Sequence, residues 1–207
     1  MRFVMSGKGK KGPAVAAAAA AAITAAGPAQ WEDQLAIKSV LDAAWAEKWA
    51  VVEAALACGF PIHSPYLGNH GTLLHAAAYH GFAPMVRECL RRGLKATDLN
   101  HLDQSPILYA AKHGSAEALG LLLPFVRDIN ARDRLQMCPL MGIVVEGKGP
   151  DVAERLRMVL DQADLDLGAT YINLTAEEWA RKKGKLELAD MLAGEVRWVT
   201  GRDGWWL

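Results

Sequence analysis

Six histidines and three cysteines are the side chains of this 207-residue sequence that could bind a metal ion or support catalysis. Cys58, Cys89 and Cys138 stand far apart, without the short spacing of zinc-ligand pairs. No cysteine or serine has a histidine and an acid at the spacing of a catalytic motif. The glycine- and lysine-rich run at 7–12 lacks the lysine–serine or lysine–threonine pair of a phosphate-binding loop. The sequence therefore predicts no catalytic residue, no metal site and no cofactor.

Two of the histidines belong to a repeated pattern. His80 and His113 are 33 residues apart and each directly precedes a glycine, and Gly147 follows Gly114 after another 33 residues. A pair of alanines stands three and four positions before each of the first two glycines. A fixed period of this length predicts a solenoid in which each unit packs mainly on its neighbours.

The segment Thr72–Gly81 resembles the ankyrin repeat, whose core reads T-P-L-H-x-A-A-x-x-G. An earlier copy has Glu47 in place of the glycine, and a closing copy has Gly184 at that position. The resemblance covers five units across residues 35–194. It implies an all-α fold, an ankyrin-repeat solenoid of stacked helix-turn-helix units joined by hairpin-like loops.

The helix starts can be predicted within this frame. Thr72, Ser105 and Cys138 are expected directly before the first helices of the three central copies, and proline follows the last two of them. His75 is expected to reach back to the start of its helix, as the third residue of a capping box does. These signals are local, so they predict boundaries without reference to the rest of the fold.

The repeat glycines are expected to end the first helices. Gly81, Gly114 and Gly147 would each suit the left-handed conformation that often follows a helix. The step from Gly147 to Gly184 is 37 residues, four longer than the period, and the extra residues 148–151 fall between the two helices of the fourth copy. Because this turn is an insertion, Asp151→Ala is expected to cost little stability.

Both ends of the chain differ from the repeats. Residues 1–34 form a basic, alanine-rich arm, which is either a low-complexity segment that orders on a partner or a mitochondrial targeting segment. Residues 195–207 form a tryptophan-rich tail, which either folds back over the end of the stack or anchors a partner. The ankyrin-repeat domain is assigned to residues 35–194.

In this family, hairpin tips and first helices line a concave groove, so the resemblance assigns partner binding to the non-consensus residues there. The tail tryptophans are added as anchors. Tyr79 and Tyr109 are expected to stack in equivalent positions of adjacent repeats, flanked by Lys112 and Arg134. The natural complement is an acidic or phosphorylated segment with apolar anchors. The assigned residues are Tyr66, His70, Tyr79, His80, His101, Leu102, Tyr109, Lys112, His113, Arg132, Arg134, Leu135, Trp179, Lys182, Trp198, Trp205 and Trp206.

Composition limits the kinds of partner. Basic and acidic residues both number 23, so the zero net charge favours neither nucleic acid nor an acidic membrane surface. No segment has the roughly 20 strongly apolar residues of a membrane span. An odd number of scattered cysteines indicates a reducing, intracellular location, cytoplasmic or ciliary, with mitochondrial as the alternative. The expected partners are proteins, and no small-molecule substrate is indicated.

Two functional hypotheses remain open. In the first, the chain is a non-enzymatic structural or accessory subunit of a large assembly, ciliary or mitochondrial, and its two tails help to hold it there. In the second, it is a free cytoplasmic adaptor or scaffold that binds a peptide or domain in its concave groove. The apolar composition of the tails favours the first hypothesis.

Overall fold

The computed structural model describes Ala21, residues 34–64 and residues 71–202, with side chains through residue 195. The described residues contain ten α-helices and one two-stranded sheet, which confirms the predicted all-α fold. They divide into two compact units, 34–64 and 71–202, whereas the sequence assigned one domain to 35–194. None of the described helices has both the length and the apolar character needed to cross a membrane.

The first unit is one helix pair. Helix α1, Gln34–Trp45, packs against α2, Trp49–Ala57. Glu47, which stands in the place of the repeat glycine, has a φ of 58°. This left-handed conformation costs a residue with a side chain about 1–2 kcal/mol, so the first copy keeps the backbone turn of the repeat without its glycine. The buried side chains are Ile37, Val40, Leu41, Ala43 and Ala44 from α1 and Val51, Val52, Ala55 and Leu56 from α2.

The second unit stacks four helix pairs. The first helices pack in chain order, α3 on α5 on α7 on α9, and so do the second helices, α4 on α6 on α8 on α10. A 3₁₀ turn, Leu123–Phe125, extends α6, and α10 continues past residue 194, where the sequence ends the repeat domain. The pairs are α3 (Leu73–Tyr79) with α4 (Ala83–Arg91), α5 (Pro106–Lys112) with α6 (Ala116–Leu122), α7 (Pro139–Glu146) with α8 (Val152–Leu160), and α9 (Ala176–Lys182) with α10 (Leu186–Arg202).

The first helices of the central copies begin where the sequence predicts. Thr72, Ser105 and Cys138 directly precede α3, α5 and α7, and proline is the first residue of the last two helices. Ser105 Oγ accepts a hydrogen bond from the amide of Leu108, 3.4 Å. The amide of Thr72 donates to His75 Nδ1, 3.0 Å, which confirms the predicted reach-back of the histidine.

The repeat glycines do not share one conformation. Gly81 has a φ of 65°, as predicted, but Gly114 and Gly147 lie outside the left-handed region, so that prediction is wrong for them. A Cβ atom on Gly114 would lie 2.7 Å from Cα of Ala110 and closer still to the carbonyl oxygen of Ala78. On Gly147 it would meet a backbone carbonyl of the preceding turn. At these two positions, glycine is required because backbones approach closely.

The connecting segments share one tip geometry. A short antiparallel hairpin, β1 (Thr170–Tyr171) with β2 (Leu174–Thr175), precedes α9. Asn173, in its turn, has a φ of 60°. Asp103 and Gln136 have φ values of 58° and 64°, and each of these three residues stands eleven positions before a repeat glycine. The repeat therefore imposes a left-handed tip even where the residue is not glycine.

The inserted residues 148–151 lie between α7 and α8, as predicted. Helix α8 begins five residues after its repeat glycine, whereas the other second helices of this unit begin two residues after theirs. Asp151 Oδ2 accepts a hydrogen bond of 2.6 Å from the amide of Ala116, and its Oδ1 lies 3.5 Å from Nε of the fully buried Arg155. The structure therefore contradicts the expectation that Asp151 contributes little, because its carboxylate connects α8 to the start of α6.

Candidate protein-interaction surface

Four ring-bearing side chains from the last turns of α3 and α5 form a cluster, the aromatic patch: Tyr79, His80, Tyr109 and His113. The ring centroid of Tyr79 lies 4.9 Å from that of His80, 5.9 Å from that of Tyr109 and 4.7 Å from that of His113. All four side chains are half-buried. The structure thus confirms that Tyr79 and Tyr109 meet across adjacent repeats, with an edge-to-face geometry instead of the expected stack.

The two tyrosines do not hold equivalent repeat positions, contrary to the expectation from the sequence. Tyr79 stands two residues before its repeat glycine, whereas Tyr109 stands five residues before the next one, on the preceding helical turn. In the strict register, Tyr79 corresponds to Lys112 and Tyr109 corresponds to Ala76. The rings therefore meet diagonally between α3 and α5, which explains the tilt between their planes.

A buried polar network fixes Tyr109 from the segment that precedes α5. Its hydroxyl donates to Gln104 Oε1, 3.0 Å, and accepts from Asn100 Nδ2, 3.3 Å. Gln104 Nε2 also donates to Asp133 Oδ2, 3.0 Å, in the next connecting segment. Burial raises the pKa of the Tyr109 hydroxyl, so it keeps its proton and can donate at neutral pH. The patch is therefore held in place before any partner arrives.

Sequence reasoning missed this network, although a repeat signal was present. Asn100 and Asp133 are 33 residues apart, and each uses one side-chain oxygen to accept from the backbone amides two and four residues later. Short polar residues that bond their own backbone in this way are typical of tight turns. Their common position in the register would have identified them as structural.

Lys112, one of the two cations predicted to flank the tyrosines, is not available to bind a partner. Lys112 is buried, and its Nζ lies 3.0 Å from Glu146 Oε2. The same carboxylate oxygen lies 3.6 Å from Nε2 of His113. Burial, and then the charge of Lys112, lowers the pKa of His113, so its ring is neutral at neutral pH. The expectation of an open Lys112 beside the patch is therefore wrong.

Two of the predicted site residues are exposed arginines of the segment between α6 and α7. Arg134 Nε is 3.0 Å from Asp103 Oδ2, so its charge is paired. Arg132 Nη1 donates to the carbonyl oxygen of Thr170, 3.0 Å, and it has no carboxylate partner among the described residues. Of the two cations, Arg132 is thus the one that can still recruit an anionic group.

Apolar side chains recur at the tips of the connecting segments and form what we call the tip row: Leu102, Leu135 and Ile172. Each stands twelve residues before a repeat glycine. Leu135 is 60% exposed and Ile172 is 68% exposed, whereas Leu102 is half-buried beside the exposed His101. Sequence reasoning selected the two leucines and missed Ile172, although the offset from Gly184 would have found it.

Trp179 does not stand open to a groove, contrary to the expectation from the sequence. The indole is buried, and its Nε1 donates to the carbonyl oxygen of Tyr171, 2.6 Å. Lys182 is exposed, with its Nζ 4.7 Å from the centroid of the indole ring. The pair therefore closes the last repeat, with a cation–π contact on the outside.

The remaining predicted residues lie outside the described part of the chain: Tyr66 and His70 in the segment 65–70, the side chain of Trp198, and Trp205 and Trp206. Within the described ranges, no group of three or more histidine, cysteine or acidic side chains could hold a metal ion. Cys89 is fully buried in the core, and burial raises the pKa of its thiol to about 12. That thiol is protonated and unreactive at neutral pH.

Comparison with family models matches residues 41–133 to ankyrin repeats in three copies. The matched segment spans α2 to α6 completely, and α7–α8 and α9–α10 continue the same row of helix pairs after it. The search of curated proteins gave no match. Ankyrin repeats are generally protein–protein interaction modules, and the family is typically non-enzymatic. The match identifies residues 41–133 of the chain as ankyrin repeats.

Proposed function

We propose that the chain is a non-enzymatic protein-interaction module whose partner docks on the aromatic patch and the tip row. The observation that carries this proposal is the contact of the Tyr79 ring with the rings of Tyr109 and His113, all in half-buried positions. Such rings offer a large apolar contact area and lose little side-chain entropy when a partner covers them. The network that fixes the Tyr109 hydroxyl lowers that entropic cost further.

The charges around the patch favour an apolar anchor over a highly acidic segment. Glu146 pairs with Lys112 and Asp103 pairs with Arg134, whereas Arg132 has no carboxylate partner in the described ranges. We therefore propose a partner segment that places apolar side chains on the tyrosines. An acidic or phosphorylated group, if present, would pair with Arg132.

The test combines Tyr79→Ala with Tyr109→Ala. The double variant should bind its partner more than tenfold more weakly, because it removes the anchor cluster. Partners are captured by proximity labelling with the wild-type chain, and their affinity for each variant is then titrated. Tyr109→Phe serves as the matched control, since it removes the hydroxyl and keeps the ring. Unchanged affinity of a folded double variant would refute this placement of the site.

We further propose that the module acts as a structural or accessory subunit of a larger assembly, with a free cytoplasmic adaptor as the alternative. The sequence supports this: three of the last ten residues are tryptophan, and the alanine-rich residues 1–34 lie outside the repeat pattern. Apolar segments of this kind need a surface to pack on. The proposed location is intracellular and reducing, cytoplasmic or ciliary, or alternatively mitochondrial, on the basis of the odd number of cysteines scattered along the sequence.

Truncation separates the subunit from the adaptor. A chain without residues 1–33 and 196–207 should leave the large assembly on size-exclusion chromatography of cell extracts if the tails hold it there. The tyrosine double variant should then stay in the assembly. If the chain is an adaptor, the truncated form keeps its partner and the tyrosine variant loses it.

A further inference from the structure

The inserted turn of the fourth copy borders a cleft. The cleft has a volume of about 650 Å³ and lies between residues 147–153 and residues 184–188. It exists because α8 begins three residues later, relative to its repeat glycine, than the other second helices of this unit. The insertion thus moves the start of α8 away from the repeat position, which leaves room beside the turn that leads into α10.

The inner side of the turn is rigidly held. Arg155 is fully buried, and its Nη2 donates to the carbonyl oxygen of Lys148. The carboxylate of Asp151 is occupied by the amide of Ala116 and by the guanidinium of Arg155. The outer side is open, since Lys148 and Pro150 are both exposed. A fixed inner side with an open outer side gives the cleft a defined shape before a ligand binds.

The cleft has an excess of positive charge. Lys148 and Lys185 line it, and neither has a carboxylate within ion-pair distance among the described residues. The ammonium of Lys185 donates only to carbonyl oxygens, those of Val144 at 2.7 Å and Gly147 at 2.9 Å, with Ile143 further away at 3.4 Å. Burial, and then the charges of Lys183 and Arg155, lowers the pKa of Lys185. A nearby anion would relieve this repulsion.

The opening of the cleft also has an apolar rim. Leu186 is 62% exposed, although it is the first residue of a helix that packs on the core. Pro150, which also lines the cleft, is exposed, and Val152 is half-buried. Glu187 supplies the acidic side chain of the lining. Apart from its glycines, the lining therefore combines two lysines with five apolar residues and one acid.

We propose that this cleft is a second docking site, which binds an acidic segment of a partner protein. A carboxylate of the segment lies towards Lys148 and Lys185, and a neighbouring apolar side chain covers Leu186. Charge complementarity selects the acidic segment, because the carboxylate of Asp151 is already occupied and Glu187 alone opposes the two lysines. The site is separate from the aromatic patch, so it extends the proposed function to a second contact.

The probe is a fluorescein-labelled peptide of alternating glutamate and leucine, titrated against the full chain. The affinity should fall at least roughly tenfold in Lys148→Glu and clearly in Leu186→Ser, because one reverses the charge and the other removes the rim. Raising the salt from about 0.05 M to about 0.5 M should weaken binding, since exposed charges are screened. Amide NMR shifts should concentrate at residues 147–152 and 184–188.

Three controls keep the test specific. A peptide with glutamine in place of glutamate should bind much more weakly, and Lys95→Glu, at an exposed lysine outside the cleft, should leave the affinity unchanged. Tyr79→Ala should also bind the probe normally, so this proposal can fail while the aromatic patch stands. Equal binding of the glutamine peptide, an equal loss in Lys95→Glu, or shifts elsewhere in the chain would overturn the proposal.

Discussion

Arg155 donates a hydrogen bond of 2.6 Å to the carbonyl oxygen of Ala111, which lies 44 residues earlier in the chain. The same Nη1 donates to the carbonyl oxygen of Ala110, 3.2 Å. Both carbonyls lie in the last turn of α5, at the negative end of the helix dipole, and the carbonyl of Ala110 also accepts from the amide of Gly114, 3.0 Å. A fully buried cation of the fourth copy therefore caps the first helix of the third.

In the neighbouring copies, other side chains donate to the carbonyl oxygens at the end of the preceding first helix. Lys185 Nζ bonds carbonyl oxygens at the end of α7, and Ser115 Oγ donates to the carbonyl oxygen of Gly81, just after α3, at 3.0 Å. Lys185 and Ser115 each directly follow a repeat glycine. In the fourth copy the insertion begins at that position, and Arg155 reaches the helix end from within α8. Each of these copies thus satisfies the helix end of the copy before it.

Asp151→Ala should lower the free energy of unfolding by about 1–3 kcal/mol. The substitution leaves the guanidinium of Arg155 without its carboxylate and the amide of Ala116 without its 2.6 Å acceptor. Loss of a hydrogen bond to a charged group costs an amount of this order. Urea denaturation measures the loss, and Glu154→Ala, an exposed acid three residues further along, should change stability by less than about 0.5 kcal/mol. Equal effects of the two variants would contradict the assigned network.

The repeat glycines should separate into two classes when substituted. Gly114→Ala should destabilise more than Gly184→Ala, because its Cβ would lie 2.7 Å from a backbone atom of Ala110, whereas Gly184 has open space around it. Gly184, with a φ of 71°, should instead accept asparagine, which tolerates the left-handed conformation. Thermal unfolding of the alanine and asparagine variants at both positions checks this, and a tolerated Gly114→Asn would contradict it.

Local signals predicted the helix starts because each start depends on a few neighbouring residues. The hydrogen bonds that mark the helix starts at Thr72 and Ser105 join residues only three positions apart. Such neighbours can be read directly from the sequence. The need for glycine at position 114 depends on the Ala78 carbonyl of the preceding copy. The repeat pattern placed Gly114 correctly at the end of its helix, but it did not reveal this close approach. Contacts between copies were visible only where they follow the 33-residue period.

The site was predictable to the same extent. Tyr79 and Tyr109 were selected as surface aromatics of first helices, and they do meet. The ion pair of Lys112 was missed because Glu146 lies on the next first helix, one residue past the position that the period would give. The bonds of Arg155 to α5 were missed for a related reason. Because residues 148–151 are inserted before it, the 33-residue period does not align Arg155 with its partners.

Leu122→Ala should cost about 2–5 kcal/mol, because the side chain has no exposed surface in the core of α6. Phe125→Ala, three residues later at a 58% exposed position, should cost much less. Chemical denaturation of both variants gives the comparison. In a one-dimensional stack the damage should spread to adjacent copies, so amide exchange should also rise in α4 and α8 of the Leu122 variant. An effect confined to α6 would contradict this coupling.

His75 should make stability depend on pH in the acidic range. Its Nδ1 accepts from the amide of Thr72 and its Nε2 lies 3.0 Å from the carbonyl oxygen of Gln104, so the neutral ring with hydrogen on Nε2 satisfies both partners. Burial lowers the pKa of His75 from 6.5 to about 4, against a smaller opposing effect of the Gln104 carbonyl. The folded chain therefore resists a proton that the unfolded chain accepts.

The sign of the effect follows from that difference. Between pH 6.5 and about 4 the unfolded state binds one more proton at this residue, so the free energy of unfolding falls as the pH falls through this window. The total loss is about 3 kcal/mol, and it is complete below pH 4. His75→Gln keeps an acceptor at the third helical position and should flatten the profile, whereas His113→Gln should leave most of it. Urea denaturation from about pH 7 to about pH 4 measures both profiles. A wild-type slope that persists in His75→Gln would assign the dependence to other groups.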